Sequence, residues 1–77
     1  MPKITLKAAR VNAGLTQGQM AERLGVSMRT VVAWETGEKQ IRQGYVHAYA
    51  DITGFAVSDF LLPNEYAMRT YESEVRK

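Results

Sequence analysis

Hydrophobic residues recur along most of this chain at spacings of three and four, which is the period of an α-helix. Four segments show this period, and the positions that share a face within each are Leu6, Ala9, Arg10 and Ala13; Met20, Ala21 and Leu24; Val31 and Trp34; and Tyr45, Ala48, Tyr49 and Ile52. Phe60 and Leu61 predict a short fifth helix, which Pro63 ends. No segment alternates for long enough to predict a strand. The pattern predicts a compact all-α fold of five short helices.

Glycine and hydroxyl residues mark where these helices begin and end. Glycines after the helical segments predict left-handed C-terminal caps at Gly14, Gly25, Gly37 and Gly54. Hydroxyl residues before the segments predict N-caps at Thr5, Thr16, Ser27 and Ser58. Thr16 and Gln19 have the spacing of a capping box. The domain is therefore expected to span residues 1–62, while residues 63–77 are interpreted as a C-terminal tail or an oligomerisation segment.

Composition and charge limit the kinds of site and partner that this 77-residue chain can have. It has no cysteine and one histidine, which excludes a disulfide framework or a thiol nucleophile and argues against zinc or serine–histidine chemistry. We therefore expect no metal, no cofactor and no enzyme activity. Residues 1–47 hold seven Lys and Arg against three Glu, a net of +4, whereas residues 48–77 hold three against five, a net of −2. This asymmetry suits a polyanionic partner on one side of the molecule.

Residues 16–37 have the spacing of a helix-turn-helix motif. Two short helical segments are joined by a three- to four-residue turn that contains Gly25. Ala21 falls where the helices would cross, and its small side chain allows them to approach. The enclosed hydrophobic residues would be Leu15, Met20, Leu24, Val26, Val31 and Trp34.

The residues of this motif resemble those of the lambdoid phage repressor and Cro family, the XRE type of helix-turn-helix regulator. The resemblance rests on residues 14–17 (GLTQ), 20–27 (MAERLGVS), 30–31 (TV) and 34–37 (WETG), and residues 52–61 (ITGFAVSDFL) resemble the end of that family's five-helix domain. It implies that Gln17 contacts a DNA phosphate at the start of the second helix, and that residues 27–36 form the recognition helix in the major groove. It also implies a partly buried ion pair between Arg10 and Glu35.

A helical wheel at 100° per residue separates two sides of the recognition helix. Val31 and Trp34 fall on the core side, while the opposite side holds Arg29, Val32, Ala33 and Thr36, with Met28 and Thr30 on its flanks. Arginine can pair with guanine, and apolar side chains can meet the thymine methyl group. The predicted base-reading residues are Met28, Arg29, Val32 and Ala33. The other predicted phosphate-binding residues are Ser27, Thr30, Thr36, Lys39 and Arg42.

These features predict a sequence-specific, double-stranded DNA-binding transcriptional regulator, a repressor of phage, prophage or bacterial type. We expect a homodimer, at least on DNA, on a pseudopalindromic operator. The chain has no membrane-length apolar run and no signal-peptide pattern, so the predicted location is the cytoplasm, at the nucleoid. Two alternatives remain open at this point. One is the antitoxin of a toxin–antitoxin pair, and the other is a protein-interaction module in which the same helix docks a partner protein.

Overall fold

The computed structural model describes residues 3–62 of the chain. Its elements in chain order are β1 (Ile4–Thr5), α1 (Leu6–Asn12), α2 (Gln17–Leu24), α3 (Met28–Thr36), α4 (Gln43–Thr53), a 3₁₀ turn (Val57–Asp59) and β2 (Phe60–Leu61). The predictions for residues 63–77 lie outside this described range. Within it, none of the helices has the length and apolar character needed to cross a membrane.

Side-chain caps fix where the first three helices begin. The hydroxyl groups of Thr5, Thr16 and Ser27 each accept a backbone N–H from the first turn of the helix that follows. The predicted capping box is confirmed, because Gln19 Oε1 also accepts the N–H of Thr16, at 2.9 Å. The N-cap predicted at Ser58 is wrong, since this residue lies inside the 3₁₀ turn. Left-handed glycines cap the C-terminal ends of α2, α3 and α4 at Gly25, Gly37 and Gly54. The C-cap of α1 is instead Ala13, and the left-handed Gly14 is the next residue.

The hydrophobic core lies where the four helices meet. Its fully buried large side chains come from all of them, and they are Leu6, Met20, Val31, Val46 and Tyr49. The face predicted for the fourth helix is partly wrong. Val46, Tyr49 and Ala50 are buried there, whereas Tyr45, Ala48 and Ile52 are only half-buried. The helix is therefore rotated slightly from the predicted orientation, which places the Tyr49 ring and hydroxyl inside the core.

The fifth helix predicted at Phe60 and Leu61 is wrong. These residues form a short parallel strand pair with the N-terminal strand, in which Ile4 lies opposite Phe60 and Thr5 opposite Leu61. The pairing satisfies backbone groups that one isolated helical turn would leave unpaired. It also directs the Phe60 ring into the core, where the residue is 4% exposed and meets Tyr49 edge to face. The described domain is therefore four α-helices closed by a pairing of its two ends.

Candidate nucleic-acid interface

The helix-turn-helix is built by close packing of α2 against α3. Ala21 is 3% exposed at the crossing, where its small side chain lets the two helices approach, and Met20 and Val31 are completely buried beside it. Gly25 has a φ of 72°, which lets the chain leave α2 in the left-handed region. The N–H of Val26 then donates to the carbonyl of Ala21 at 3.0 Å and closes the turn. This packing fixes the side of α3 that faces away from the core.

The outward side of α3 presents a cation beside apolar side chains. Met28 is 55% exposed, Arg29 is exposed, and Val32 is half-buried. The guanidinium of Arg29 takes part in no ion pair within residues 3–62, where the structure shows one ion pair between two other residues. We call Met28, Arg29 and Val32 the α3 face. It offers both hydrogen-bond donors and apolar contact to a partner.

Ala33 is buried, which corrects the prediction that its side chain is exposed on this side of α3. It is 9% exposed, because the chain after Gly37 turns back along α3 and the N–H of Lys39 donates to the Ala33 carbonyl at 3.1 Å. Ala33 therefore lies in the lining of a concavity of about 770 Å³, together with Arg29 and Glu38. The helical wheel could not show this, since the path of the following loop decides the exposure.

Three hydroxyl groups predicted to bind phosphate already have partners at the ends of α3. Ser27 Oγ accepts the N–H of Thr30 at 3.2 Å, and the two hydroxyl oxygens lie 3.0 Å apart. That mutual bond uses one hydroxyl hydrogen and leaves the other free to donate to an anion. Thr36 Oγ1 instead donates to the carbonyl of Ala33 at 3.3 Å. Because a phosphate oxygen only accepts, Thr36 would have to give up this bond to reach one.

The start of α4 combines basic side chains with exposed backbone donors. Lys39 and Arg42 are exposed in the loop between α3 and α4, and the side chain of Arg42 makes no capping bond at its N-cap position. The N–H groups of Gln43 and Gly44 have no acceptor among residues 3–62. No atom of the described chain lies within 4 Å of where a side chain on Gly44 would stand. An anion could approach this backbone closely.

The start of α2 has the same free backbone donors and adjoins the α3 face. The N–H groups of Gln17 and Gly18 have no protein acceptor in the described part of the chain. A Cβ placed on Gly18 would lie 3.8 Å from Met28 Sδ, so the side chain of Met28 reaches the first turn of α2. The α3 face is thus flanked on one side by the start of α2 and on another by the basic loop before α4.

A buried carboxylate connects the start of α2 to the core. The Glu35 side chain is 2% exposed and accepts two hydrogen bonds from Arg10, from Nε to Oε2 at 2.8 Å and from Nη2 to Oε1 at 3.1 Å. The side chain of Gln17 also donates to Oε1, at 3.2 Å, and the Tyr49 hydroxyl donates to Oε2 at 3.0 Å. Arg10 further donates to the carbonyl of Leu15 at 2.7 Å. Each of the four α-helices contributes one residue to this carboxylate network of Arg10, Gln17, Glu35 and Tyr49.

Burial keeps the Tyr49 hydroxyl protonated in the carboxylate network. Loss of solvation raises the pKa of Tyr49 well above its ordinary value of 10.0, and the negative charge of Glu35 raises the pKa further. The hydroxyl therefore stays protonated, and able to donate to Glu35, further into the alkaline range than an ordinary tyrosine. Sequence reasoning missed this residue because the predicted apolar face of α4 explained its burial without its hydroxyl group.

Sequence reasoning also missed two features around Gln17 and Glu38. The contact from Gln17 to Glu35 joins residues 18 positions apart on two helices, and no local pattern signals it. The carboxylate of Glu38 is exposed and lines the concavity beside Lys39, where it opposes the basic side chains. The interface is therefore positive with one acidic residue at its edge.

Comparison with known proteins agrees with this geometry. A family model described as a helix-turn-helix domain matches residues 4–60, a span that contains α1 to α4. No curated protein and no solved structure matches the chain. The matched span covers well over half of the 77 residues and includes the crossing of α2 with α3 and the α3 face. The chain therefore belongs to the helix-turn-helix domain family, a family of DNA-binding domains.

Proposed function

We propose that this protein is a sequence-specific double-stranded DNA-binding transcriptional regulator, a repressor of phage, prophage or bacterial type. The observation that carries the proposal is the α3 face, which is exposed, cationic and apolar at once and is flanked by free backbone N–H groups. Such a helix enters the major groove, while the neighbouring helix ends meet the phosphates on either side. Neither a catalytic step nor a cofactor forms part of the proposal.

Base reading is assigned to the α3 face. Arg29 can donate two parallel hydrogen bonds to one guanine, and Met28 and Val32 can contact thymine methyl groups. Each good bidentate pair contributes about 1–3 kcal/mol of discrimination against the wrong base. Ala33 is 9% exposed, so little of its methyl group is available to a base, and it is left out of this assignment.

Phosphate binding is assigned to the starts of α2 and α4. Gln17 offers its backbone N–H and its side chain at the first, and Lys39 and Arg42 add positive charge near the second. The helix dipole favours an anion at both places. A dimer with two-fold symmetry would place two such interfaces about one helical turn, roughly 34 Å, apart on a pseudopalindromic operator.

Salt dependence of duplex binding tests the phosphate assignment. The logarithm of the binding constant should fall linearly with the logarithm of salt concentration, with a slope of about −0.9 for each phosphate neutralised. Lys39→Ala should reduce the slope by about one such unit. Lys3→Ala is the matched control and should leave the slope unchanged, because Lys3 Nζ donates to the Ser58 carbonyl at 2.7 Å, beyond the opposite end of α4. Fluorescence anisotropy of a labelled duplex measures both, and equal slopes for the two variants would exclude Lys39 from phosphate binding.

Gln17→Ala should weaken binding to all duplex sequences alike, because a phosphate contact carries no sequence information. Anisotropy on two unrelated duplexes measures this. A loss confined to one sequence would contradict the phosphate role of Gln17.

Docking of a partner protein on α3 is a second candidate function, and the 55% exposure of Met28 favours it. An antitoxin would combine this docking with DNA binding. The same anisotropy measurement at low salt separates the two candidates, since a DNA-binding domain retains non-specific affinity for any duplex. A folded protein that binds no duplex at about 50 mM salt would favour protein docking alone.

A further inference from the structure

We infer that Tyr49 is a positioning residue for the phosphate contact of Gln17, acting through the carboxylate of Glu35. The inference rests on the proposed DNA-binding function and assigns part of it to a residue that is completely buried. Tyr49 lies on α4 and Gln17 at the start of α2, and the Glu35 carboxylate on α3 is hydrogen-bonded to both.

The carboxylate of Glu35 is fully occupied by its donors. Oε1 accepts from Arg10 Nη2 and Gln17 Nε2, and Oε2 accepts from Arg10 Nε and the Tyr49 hydroxyl. A carboxylate has about four lone-pair sites, so the four bonds saturate it. With the side chain 2% exposed, water has little access to replace a missing donor. The carboxylate is held in one orientation as long as all four bonds are present.

That orientation also decides which end of the Gln17 amide faces outward. An ionised carboxylate only accepts hydrogen bonds, so the amide nitrogen, and not the carbonyl oxygen, must face Glu35. One amide hydrogen is used in that bond and the second remains available. A DNA phosphate likewise only accepts, so this second hydrogen is the one the side chain can offer it. The bond to Glu35 therefore orients the Gln17 amide as a hydrogen-bond donor in the free protein, before DNA binds.

Tyr49 keeps this arrangement in place from the opposite oxygen. Without its hydroxyl, Oε2 would retain the single bond from Arg10 Nε, and the carboxylate could turn to share its remaining donors. The bond from Gln17 is the longest of the four, at 3.2 Å, and should be the first to break when the carboxylate turns. The side chain of Gln17 would then sample several orientations, and its contact with phosphate would weaken.

The first test measures the Gln17 amide itself in the free protein. NMR spectra of the full chain should show one Gln17 side-chain amide proton shifted and slowed in exchange by its bond to Glu35. Tyr49→Phe should move that resonance towards the position of an exposed glutamine and speed its exchange. Thr53→Val is the matched control, because it removes a hydroxyl that bonds the backbone of Tyr49 and not Glu35. An unchanged Gln17 resonance in folded Tyr49→Phe would overturn the inference.

The second test is a double-mutant cycle on the affinity for a mixed-sequence duplex, with each variant shown to be folded by circular dichroism. Tyr49→Phe should weaken binding by about two- to fivefold in the wild-type background, in the range of one partly lost hydrogen bond. In the Gln17→Ala background it should have almost no effect, because the residue it positions is gone. Equal losses in both backgrounds would show that the effect of Tyr49 on binding does not pass through Gln17 and would overturn the inference.

The two tests also separate the inference from the function on which it rests. A wild-type protein that binds no duplex would overturn the proposed function and the phosphate role together, whatever the NMR result. A wild-type protein that binds duplex in a salt-dependent way, with uncoupled Tyr49 and Gln17, would overturn the positioning role alone.

Discussion

The two sides of α3 differ in burial and in hydrogen bonding. On the inner side, Val31, Trp34 and the side chain of Glu35 are enclosed, and Glu35 accepts four hydrogen bonds from three other helices. On the outer side, the side chains of Met28 and Arg29 are exposed and make no hydrogen bond or ion pair within residues 3–62. Changes on the inner side should therefore alter stability, and changes on the outer side should alter binding. Gln17 belongs to both, because it bonds Glu35 and stands at the surface of α2.

The largest expected effect is a loss of unfolding free energy in Arg10→Met, on the inner side of α3. The substitution leaves the buried carboxylate of Glu35 without its cation, and removing one partner of a buried pair costs about 3–5 kcal/mol of unfolding free energy. Urea denaturation followed by circular dichroism measures the loss. The double variant Arg10→Met/Glu35→Leu is the control and should recover much of the stability, since no charge is then left unpaired. A loss below about 1 kcal/mol for Arg10→Met, as for a surface pair, would contradict the inner-side account.

On the outer side, Arg29→Ala should change binding and leave the fold intact. The preference at one operator base pair should relax by about 1–3 kcal/mol, because the bidentate pairing with guanine is lost. Unfolding free energy should stay within about 0.5 kcal/mol of wild type, as for an exposed residue without partners. Competition binding with single-base operator variants measures the first quantity, and urea denaturation the second. Unchanged base preference would remove Arg29 from base reading.

The dependence of stability on high pH tests the inner side through one group, the hydroxyl of Tyr49. The folded protein keeps the Tyr49 proton to a higher pH than the unfolded chain, whose tyrosines titrate near 10. The contribution of this group is therefore complete below about pH 10, and stability falls as pH rises above it, by up to about 1.4 kcal/mol per pH unit. Unfolding free energy measured from pH 9 to 11 should decline less steeply for Tyr49→Phe. Parallel declines would show that the hydroxyl is not buried against Glu35.

The smallest predicted effect comes from a substitution in the first turn of α2, which should change both stability and DNA binding. Gly18→Ala fits without a clash, since the nearest atoms are Met28 Sδ at 3.8 Å and Thr16 Oγ1 at 4.0 Å. It should raise stability by about 0.5–1 kcal/mol through helix propensity. The added methyl group should also weaken DNA binding, because it occupies space where a phosphate approaches the backbone. Thermal denaturation and anisotropy measure the two changes, and tighter or unchanged binding would argue against a phosphate at this helix start.

The sequence predicted the local features of the fold well. The capping box at Thr16 and the left-handed turn at Gly25 depend on neighbouring residues, and both have the predicted geometry. The fifth helix failed because the strand at Phe60 pairs with Ile4, 56 residues away, and nothing local records that pairing. The burial of Ala33 was missed for the same reason, since it depends on how the loop after α3 folds back.

For the candidate site, the sequence identified residue types more reliably than contacts. The wheel placed Arg29 on the exposed side of α3, which depends only on helical geometry. The Arg10–Glu35 ion pair implied by the family resemblance is present, while the bonds from Gln17 and Tyr49 to the same carboxylate were not predicted. Those bonds form only where the four helices meet, so the pattern within any single segment does not predict them.

Selection of bound sequences from a random duplex pool at about 150 mM salt tests the central claim most directly, because non-specific contacts are already weakened there. Sequence-specific recognition by the α3 face predicts enrichment of one motif, arranged as an inverted repeat with half-sites about one helical turn apart. Arg29→Ala carried through the same selection should lose the preference at one position of each half-site. A folded wild-type protein that enriches no motif would contradict the claim that α3 reads DNA sequence.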